Sequence, residues 1–244
     1  MQYGIQLYTL RDIDATLPET IELVGDSAFE GIEFAGFDGE DPAQLAKTAA
    51  SAGLNIVGAH VSFNDLEADP AGTLGPYQTL GCDRIVIPSY DRDAFATAAA
   101  AREAGARIGD LVDPVEDIGA RLLYHNHTFE FEPVNDETTF DAFVTAADGV
   151  ALEFDIGLAN HGGVDPAVYL ERYADRVELV HLTDSRPPDH DARHADLGTG
   201  TADLNRCLDI CEDAGVAWAV FEHGLTDDPI GSMERAAAWI DENR

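Results

Sequence analysis

The 244-residue chain has a 45% apolar content, ordinary for a folded domain, and carries 47 acidic against 14 basic residues, a formal net charge of −33. Nucleic-acid binding needs a basic surface patch, and this composition excludes one. No apolar run reaches the roughly 18 residues of a membrane-spanning helix, and the first ten residues lack the basic segment of a secretion signal. We therefore expect a cytoplasmic protein without nucleic-acid or membrane partners.

The acidic residues are dispersed along the chain, and Lys47 is the only lysine. Such a surface stays soluble in concentrated salt, because the Debye length falls to about 3 Å at 1 M and screens the self-repulsion. The composition therefore predicts a halophilic protein and says little about its ligand. Of the three cysteines, Cys207 and Cys211 lie four residues apart in a helical pattern. We expect small core residues there rather than a redox pair.

Short apolar runs typical of buried parallel strands recur eight times along the chain. Most are rich in β-branched or aromatic residues and open just after a glycine or a charged residue. The predicted strands cover residues 4–10, 31–37, 55–63, 84–90, 121–127, 150–158, 177–184 and 217–224.

Helical patterns with recognisable ends lie between these runs. An Asp-Pro pair opens three of them, and a glycine follows two. These residues mark helix ends, because aspartate caps the first N–H groups, proline lacks an N–H that would be unpaired in the first turn, and glycine adopts the backbone conformation that ends a helix. The pattern at 69–80 predicts a weak helix because it contains Gly72 and Gly75. The longer segment 93–119 contains Pro114, so we expect two helical pieces there.

The alternation of strand and helix predicts a (β/α)₈ TIM barrel formed as a single domain by residues 1–244. Eight repeats fit this length, because such barrels typically have about 250 residues. A doubly wound open sheet is the alternative, but that fold usually has a glycine-rich phosphate loop after its first strand, and here residues 8–17 read YTLRDIDATL. The sequence does not fix the oligomeric state, and a homo-oligomer is compatible with it.

Polar side chains mark the ends of the predicted strands. In TIM barrels the chemistry takes place at the carboxyl ends of the strands, and unpaired buried charges are costly, so a convergence of charged groups there indicates a site. Carboxylates combined with imidazoles suit a divalent cation, whereas a satisfied polar network without metal is the alternative. The residues concerned are His60, His125, Asn126, His127, Glu153, Asp155, His181, Asp184, Glu222 and His223.

Eight motifs carry a resemblance to a known family. In chain order they read GIQLYTLRD, GIEFAGF, GAHVSF, YHNHTFEF, LEFDIG, VHLTD, LGTGTADL and VFEHG. Together they resemble the xylose isomerase-like TIM-barrel superfamily, and the resemblance extends from Gly4 to about Glu222. That superfamily includes sugar-phosphate isomerases and epimerases, hydroxypyruvate isomerase, inosose dehydratase and type IV apurinic endonucleases.

The resemblance implies one bound divalent metal ion, namely Mn²⁺, Mg²⁺, Co²⁺ or Zn²⁺. The implied ligands are His125, Asp155, His181 and Glu222. His125 stands where sugar epimerases of this kind have a glutamate as the fourth ligand. Glu130 or Glu153 is the alternative source of that carboxylate, and the sequence does not rank the two.

The resemblance further implies a metal-dependent isomerase or epimerase acting on a sugar or sugar phosphate. The reaction removes a proton next to a carbonyl and passes through an enediolate. The implied acid and base groups are Glu222, Glu130 and His127. His60 and Arg186 are implied to contact the small carbohydrate substrate.

Three alternative functions are compatible with a TIM barrel of this kind to different degrees. A dehydratase or lyase acting on a keto-sugar or keto-inositol shares the first step, and an imidazole at position 125 changes which group acts as the base. The endonucleases of the superfamily have a histidine three residues after the strand-6 aspartate, where this chain has Leu158, so a nuclease is disfavoured. A sugar-binding barrel without activity is a further alternative, which an absence of divalent-metal binding would favour. His190 and His194 lie in a polar loop that we expect to face solvent.

Overall fold

Eight parallel strands close into a barrel in the computed structural model, which describes residues 1–135, 137–187, 190 and 193–243. The strands are β1 (Gln2–Gln6), β2 (Gly31–Phe34), β3 (Asn55–His60), β4 (Arg84–Ile87), β5 (Arg121–His125), β6 (Ala151–Asp155), β7 (Val177–Leu182) and β8 (Trp218–Phe221). Each strand pairs with its neighbours in chain order, and β8 closes the barrel against β1. The predicted single-domain TIM barrel is therefore confirmed.

Eleven α-helices surround the barrel within the described residues. They are α1 (Leu17–Gly25), α2 (Pro42–Ser51), α3 (Phe63–Ala68), α4 (Pro70–Leu80), α5 (Ala98–Gly109), α6 (Val112–Glu116), α7 (Thr139–Ala146), α8 (Ile156–His161), α9 (Pro166–Arg172), α10 (Leu204–Asp213) and α11 (Pro229–Asn243). Aspartate caps α2 and α9, and proline follows it at the first helical position, as the sequence predicts. Asp69 and Pro70 open α4 in the same way. None of these described helices combines the length and apolar content that crossing a membrane requires.

The two uncertain helical segments both form. In α4 the Asp69 side chain accepts a hydrogen bond from the Gly72 N–H at 3.0 Å, and Leu74 and Tyr77 are buried, so capping and packing outweigh the glycines. The segment 93–119 divides into α5 and α6 as predicted. Pro114 lies in the first turn of α6, where a backbone N–H would have no partner within the helix, so the lack of one in proline costs nothing.

Several predicted strands extend too far because the polar residue at the end of the strand caps the next turn or helix. Gln6 ends β1, and its side chain accepts the Tyr8 N–H at 3.0 Å, which starts a 3₁₀ turn over Leu7–Leu10. Asp155 ends β6 in the same way, because its carboxylate accepts the Leu158 N–H at 2.6 Å and begins α8. The predicted strands at 4–10 and 150–158 were therefore too long at their carboxyl ends.

The strand alternation stacks the barrel interior in layers. Successive side chains of a strand point to opposite faces, so residues two apart share the inside. His125, Glu153, His181 and Glu222 each lie two positions after an apolar residue of one interior cluster. That cluster consists of Val57, Val86, Leu123, Ala151, Leu179, Trp218 and Val220. Polar groups therefore lie above an apolar layer, toward the carboxyl ends of the strands.

The amino-terminal end of the barrel is filled by an aromatic side chain. Trp218 packs across Gly31, where an added Cβ would come within 2.8 Å of the indole ring and 2.5 Å of Val57. Gly31 is therefore required for this close approach. The packing leaves the carboxyl end of the barrel for a ligand.

The outer core confirms the prediction for the cysteines. Cys207 and Cys211 are free and buried, and they lie on the face of α10 that also buries Leu204 and Leu208. Burial raises the pKa of both thiols to about 12, so neither is a reactive thiolate at neutral pH.

Candidate metal centre and active-site cavity

Four of the residues predicted from the sequence meet at the carboxyl end of the barrel. Strand register places Asp155 opposite His181, and His181 opposite Val220, two positions before Glu222. Within the described residues, His125, Asp155, His181 and Glu222 each offer one ligand atom, and these atoms all lie within 4.8 Å of one another. The geometry therefore brings together a candidate metal centre.

Asp155 is held so that one of its oxygens remains free. Oδ1 accepts the Leu158 N–H and the Thr183 hydroxyl, each at 2.6 Å. The Asn126 amide donates to the Asp155 carbonyl at 3.2 Å and accepts its N–H at 2.9 Å. Oδ2 is buried and has no hydrogen-bond partner among the described residues. A buried carboxylate oxygen without a partner fits a cation.

His181 and Glu222 complete the polar wall of the centre. Nδ1 of His181 lies 3.2 Å from Oε2 of Glu222 and 3.9 Å from Oδ2 of Asp155. Burial alone would raise the pKa of Glu222, but the His181 hydrogen bond and the nearby imidazoles outweigh burial and lower it. Two carboxylates and two imidazoles in this arrangement suit Mn²⁺, Co²⁺ or Zn²⁺ better than Mg²⁺, which prefers an all-oxygen set.

Two further carboxylates lie beneath the centre, inside the barrel. Glu33 accepts the Gln6 amide at 2.9 Å and lies 2.8 Å from Nε2 of His181. Glu153 lies 2.9 Å from Nε2 of His60 and 3.2 Å from Nε2 of His181. Burial, with the added repulsion of Glu153, raises the pKa of Glu33 to about 7. Burial would also raise the pKa of Glu153, but the neighbouring histidines, His181 above all, outweigh burial and lower it, so Glu153 stays ionised.

The inner groups form a second set of candidate ligands. This set comprises His60, His125, Glu153 and His181. It shares two histidines with the centre at the mouth, and a neutral imidazole binds a metal through one nitrogen. Both sets contain a buried carboxylate oxygen without a hydrogen-bond partner in the described part of the chain, Asp155 Oδ2 at the mouth and Glu153 Oε1 in the inner set. Glu222 of the mouth set lines the open cavity, whereas Glu153 is fully buried. We therefore take the mouth set as the candidate metal centre and the inner set as its support.

Reading the sequence missed Gln6 and Glu33. Both lie inside apolar runs, GIQLYTL and GIEFAGF, and a polar residue within an apolar run was the available signal. Register shifts occur at Ile32/Glu33 and Leu152/Glu153, beside both inner glutamates. Such irregularities re-aim side chains and are frequent near active sites.

A cavity of about 470 Å³ opens above the metal centre and includes His125 and Glu222 in its wall. Ligand sites commonly measure about 300–1,000 Å³. Glu222 is the carboxylate among the described residues that line it. Burial lowers the pKa of His127 to about 3 and that of His194 to about 4, so both imidazoles are neutral at pH 7. The other polar or aromatic lining residues are Tyr8, His60, Ser62, Ser89 and Arg193.

Of the other residues that the sequence predicts for the site, two line this cavity and two do not. His60 and His127 line it. Glu130 is fully buried behind it, where its carboxylate accepts the Tyr124 hydroxyl and the His127 N–H, each at 2.9 Å. Burial raises the pKa of Glu130 to about 7. The Arg186 guanidinium donates to the Thr199 carbonyl at 2.8 Å and is not among the described residues that line the cavity.

The segment after β7 folds back over the mouth. Asp184–Ser185 pairs with His194–Ala195 as a two-residue antiparallel ladder. The Asp184 carboxylate accepts the Gly200 N–H at 2.8 Å, and a Cβ at position 200 would come within 2.1 Å of that carboxylate. The turn places Arg193 and His194 in the cavity wall. The expectation that His194 faces solvent was therefore wrong, whereas His190 is exposed.

Solved structures with the same fold cover almost the whole chain. A sugar phosphate isomerase/epimerase from Parabacteroides distasonis has a TM-score of 0.84 at 18% identity, with 99% of this chain and 98% of that chain covered. A probable 3-DHS dehydratase from Bacillus anthracis has a TM-score of 0.79 at 12% identity, with both chains fully covered. At these identities the similarity shows the fold alone.

Sequence comparison gives shorter matches and a family. An inosose dehydratase from Geobacillus kaustophilus is 38% identical over 71 residues, which are 29% of this chain and 23% of that protein. One from Lacticaseibacillus casei is 29% identical over 109 residues, 45% of this chain and 35% of that protein. The matches therefore span about a quarter to a third of those curated relatives. The family model for the xylose isomerase-like TIM barrel matches residues 19–243, and the chain belongs to that family.

Proposed function

We propose that the protein is a metal-dependent isomerase or epimerase that removes a proton next to the carbonyl of a sugar. The observation that carries this proposal is the set of four ligand atoms at the mouth of the barrel, within 4.8 Å of one another. Two of the four residues also line a cavity of about 470 Å³. A bound divalent cation would polarise the carbonyl and acidify the neighbouring C–H bond.

Glu222 is the group we assign as the base. Its lowered pKa keeps it ionised at any working pH, and it is the carboxylate among the described cavity residues. The enediolate that remains after proton removal needs a proton from another side of the cavity, and His127 lines the cavity wall there. Because its imidazole is neutral at pH 7, His127 would act as a relay, in which one ring nitrogen gives up its proton while the other takes one from solvent. Glu130 holds the backbone of His127 through its N–H. His60 and Arg193 contact the substrate hydroxyls, and Arg193 takes the role expected for Arg186 because it lines the cavity.

Loss of water from the same intermediate is the second candidate reaction. The curated relatives with significant matches are inosose dehydratases, and they favour a dehydratase. These matches cover only short stretches of the chain. An imidazole on the cavity wall can protonate a departing hydroxyl as readily as a carbon. Product analysis separates the two reactions, because a dehydratase gives a product that is lighter by one water.

Solvent hydrogen exchange tests the shared first step. We expect the Mn²⁺-loaded protein to incorporate deuterium from D₂O at one carbon of a ketose, ketose phosphate, keto-inositol or 3-keto-glycoside. Glu222→Gln keeps an oxygen ligand and removes the base, so exchange should fall roughly 10²–10⁴-fold while about one equivalent of Mn²⁺ remains bound. Proton NMR measures the exchange, and elemental analysis measures the metal.

Two variants control this experiment. Glu130→Gln alters a buried carboxylate outside the cavity and should reduce exchange much less than Glu222→Gln. Asp155→Ala should abolish metal binding and exchange together. Metal binding without exchange on any carbonyl sugar would contradict the proposal and favour a binding barrel.

A further inference from the structure

A second cavity adjoins the candidate active site. It has a volume of about 800 Å³ and lies between the segments that follow β3 and β4 and one face of α5. Ser62, Pro88 and Ser89 line both this cavity and the one above the metal centre. The two cavities therefore lie side by side at the carboxyl face of the barrel, with these three residues between them.

Aromatic rings and small polar groups line the second cavity. The rings of Phe63 and Tyr90 meet edge to face, with centroids 4.8 Å apart. Ser89 and Asn64 are exposed beside them and offer a hydroxyl and an amide. Phe63 is buried with the Arg107 guanidinium 5.2 Å from its ring centroid, so the half-buried Tyr90 presents the aromatic surface that a ligand can reach. An aromatic face buries the C–H surface of a ring, whereas hydroxyl and amide groups bind its polar edge. This lining suits a polyhydroxylated ring.

The charges in the second cavity disfavour an anion. Arg107 is the cation among the described lining residues, and Glu67 binds its guanidinium at two nitrogens, each at 2.6 Å. The same guanidinium donates to the Tyr90 hydroxyl at 3.2 Å. Asp91 and Glu103 add negative charge to the lining. A phosphate would meet two carboxylates and a neutralised arginine there, so an uncharged group fits better.

We propose that the natural substrate carries a second, uncharged sugar ring, and that this ring occupies the cavity beside Phe63 and Tyr90. The inference rests on the proposed function, which places the reacting ring above the metal centre. Ser62 and Ser89 between the two cavities are exposed, so a ligand long enough to cross them at the surface reaches from the first cavity into the second. Substrate preference then depends on a contact remote from the chemical step.

Calorimetry with paired probes tests the inference. D-fructose is compared with maltulose, and 3-keto-glucose with 3-keto-maltose, on the Mn²⁺-loaded protein. One aromatic contact of this kind is worth about a tenfold change in Kd, so at least one two-ring probe should bind about tenfold more tightly than its one-ring partner. Fructose 6-phosphate should show no comparable gain over fructose.

A matched pair of variants locates the second ring. Ala100→Phe fills the cavity from α5 and should remove the gain of the two-ring probe without changing the Kd of the one-ring probe. Ala99→Phe places the same ring at the neighbouring exposed position, outside the cavity lining, and should keep the gain. Circular dichroism melting confirms that both variants fold.

The outcomes separate this inference from the proposed function. If neither two-ring probe binds more tightly than its partner, or if Ala100→Phe weakens both members of a pair equally, the second-ring site is overturned even when deuterium exchange proceeds. If the phosphate of fructose 6-phosphate tightens binding as much as a second ring does, the inference that the second cavity takes an uncharged group is overturned. A two-ring gain that Ala100→Phe abolishes supports the site, even if exchange fails and the proposed reaction is lost.

Discussion

The two ring nitrogens of His181 face different partners. Nε2 lies 2.8 Å from the Glu33 carboxylate, and Nδ1 lies 3.2 Å from Glu222, on the side of the candidate metal. A carboxylate that accepts the N–H of a ligand histidine fixes its tautomer and orients its lone pair toward the metal. Glu33 is itself oriented by the Gln6 amide at 2.9 Å. We therefore infer that Glu33 holds His181 ready to bind through Nδ1.

Glu33→Gln should weaken Mn²⁺ binding by roughly 10–100-fold at pH 8, because the amide carries no charge to hold the Nε2–H tautomer. The pH matters, since burial and Glu153 raise the pKa of Glu33 to about 7 and the carboxylate form prevails above that value. Competition with a fluorescent chelator measures the affinity without substrate. Glu30→Gln, three residues earlier and just before β2, is the control, and equal losses in both variants would contradict the assignment.

The sequence indicates where the mouth residues lie because each follows directly on an apolar run, whereas their role as metal ligands stays a prediction. It cannot show which side chains of β1 and β2 face inward, because both faces of a buried parallel strand are apolar. Gln6 and Glu33 become neighbours of His181 only when strands distant in the chain close into a barrel. Arg193 and His194 were missed for a related reason, since a long-range turn bound at Asp184 brings them back to the mouth.

At the level of elements, one aspartate joins two outer helices. Asp141 forms a capping box with Thr138 at the start of α7, and its carboxylate also accepts the Tyr173 hydroxyl at 2.6 Å and the Arg172 guanidinium at 2.5 Å at the end of α9. Burial alone would raise the pKa of Asp141, but the bonds from Tyr173, Thr138 and Arg172 outweigh burial and lower it. The ionised form of Asp141 therefore stabilises the fold.

Asp141→Asn should lower the free energy of unfolding by about 1–3 kcal/mol at pH 7, because it replaces charged hydrogen bonds by weaker ones. The folded-state pKa is depressed, so this contribution is present above the unfolded-state pKa of about 3.9 and is lost as the pH falls through the folded value. Urea denaturation at pH 7 and below pH 4 measures the difference. The exposed Asp148→Asn is the control, and a loss that persists unchanged at low pH would argue against the mechanism.

At the level of the whole molecule, the net charge of −33 comes mainly from the surface and not from the candidate site. The candidate ligands are buried or nearly so, whereas most acidic residues lie on exposed faces of the helices and loops. Dispersed surface repulsion favours unfolding at low ionic strength and is screened by salt.

We expect the melting temperature to rise steeply between 0.05 M and 2 M KCl, because salt at about 1 M shortens the Debye length to about 3 Å. A sorbitol series of matched osmolality is the control, since it excludes volume without screening charge. Scanning calorimetry measures both series. A flat response to KCl, or an equal response to sorbitol, would count against the halophilic prediction.

The position of Glu222 also determines when in its synthesis the protein can acquire a metal ion. His125, Asp155 and His181 leave the ribosome first, but the fourth ligand comes after β8, the strand that inserts between β7 and β1. Translation proceeds from the amino terminus, so a chain that ends before residue 222 lacks one of the four candidate ligands. We therefore expect the complete set to bind a metal ion only after β8 has closed the barrel, and protein purified from metal-depleted cells to be folded and able to take up Mn²⁺ afterwards.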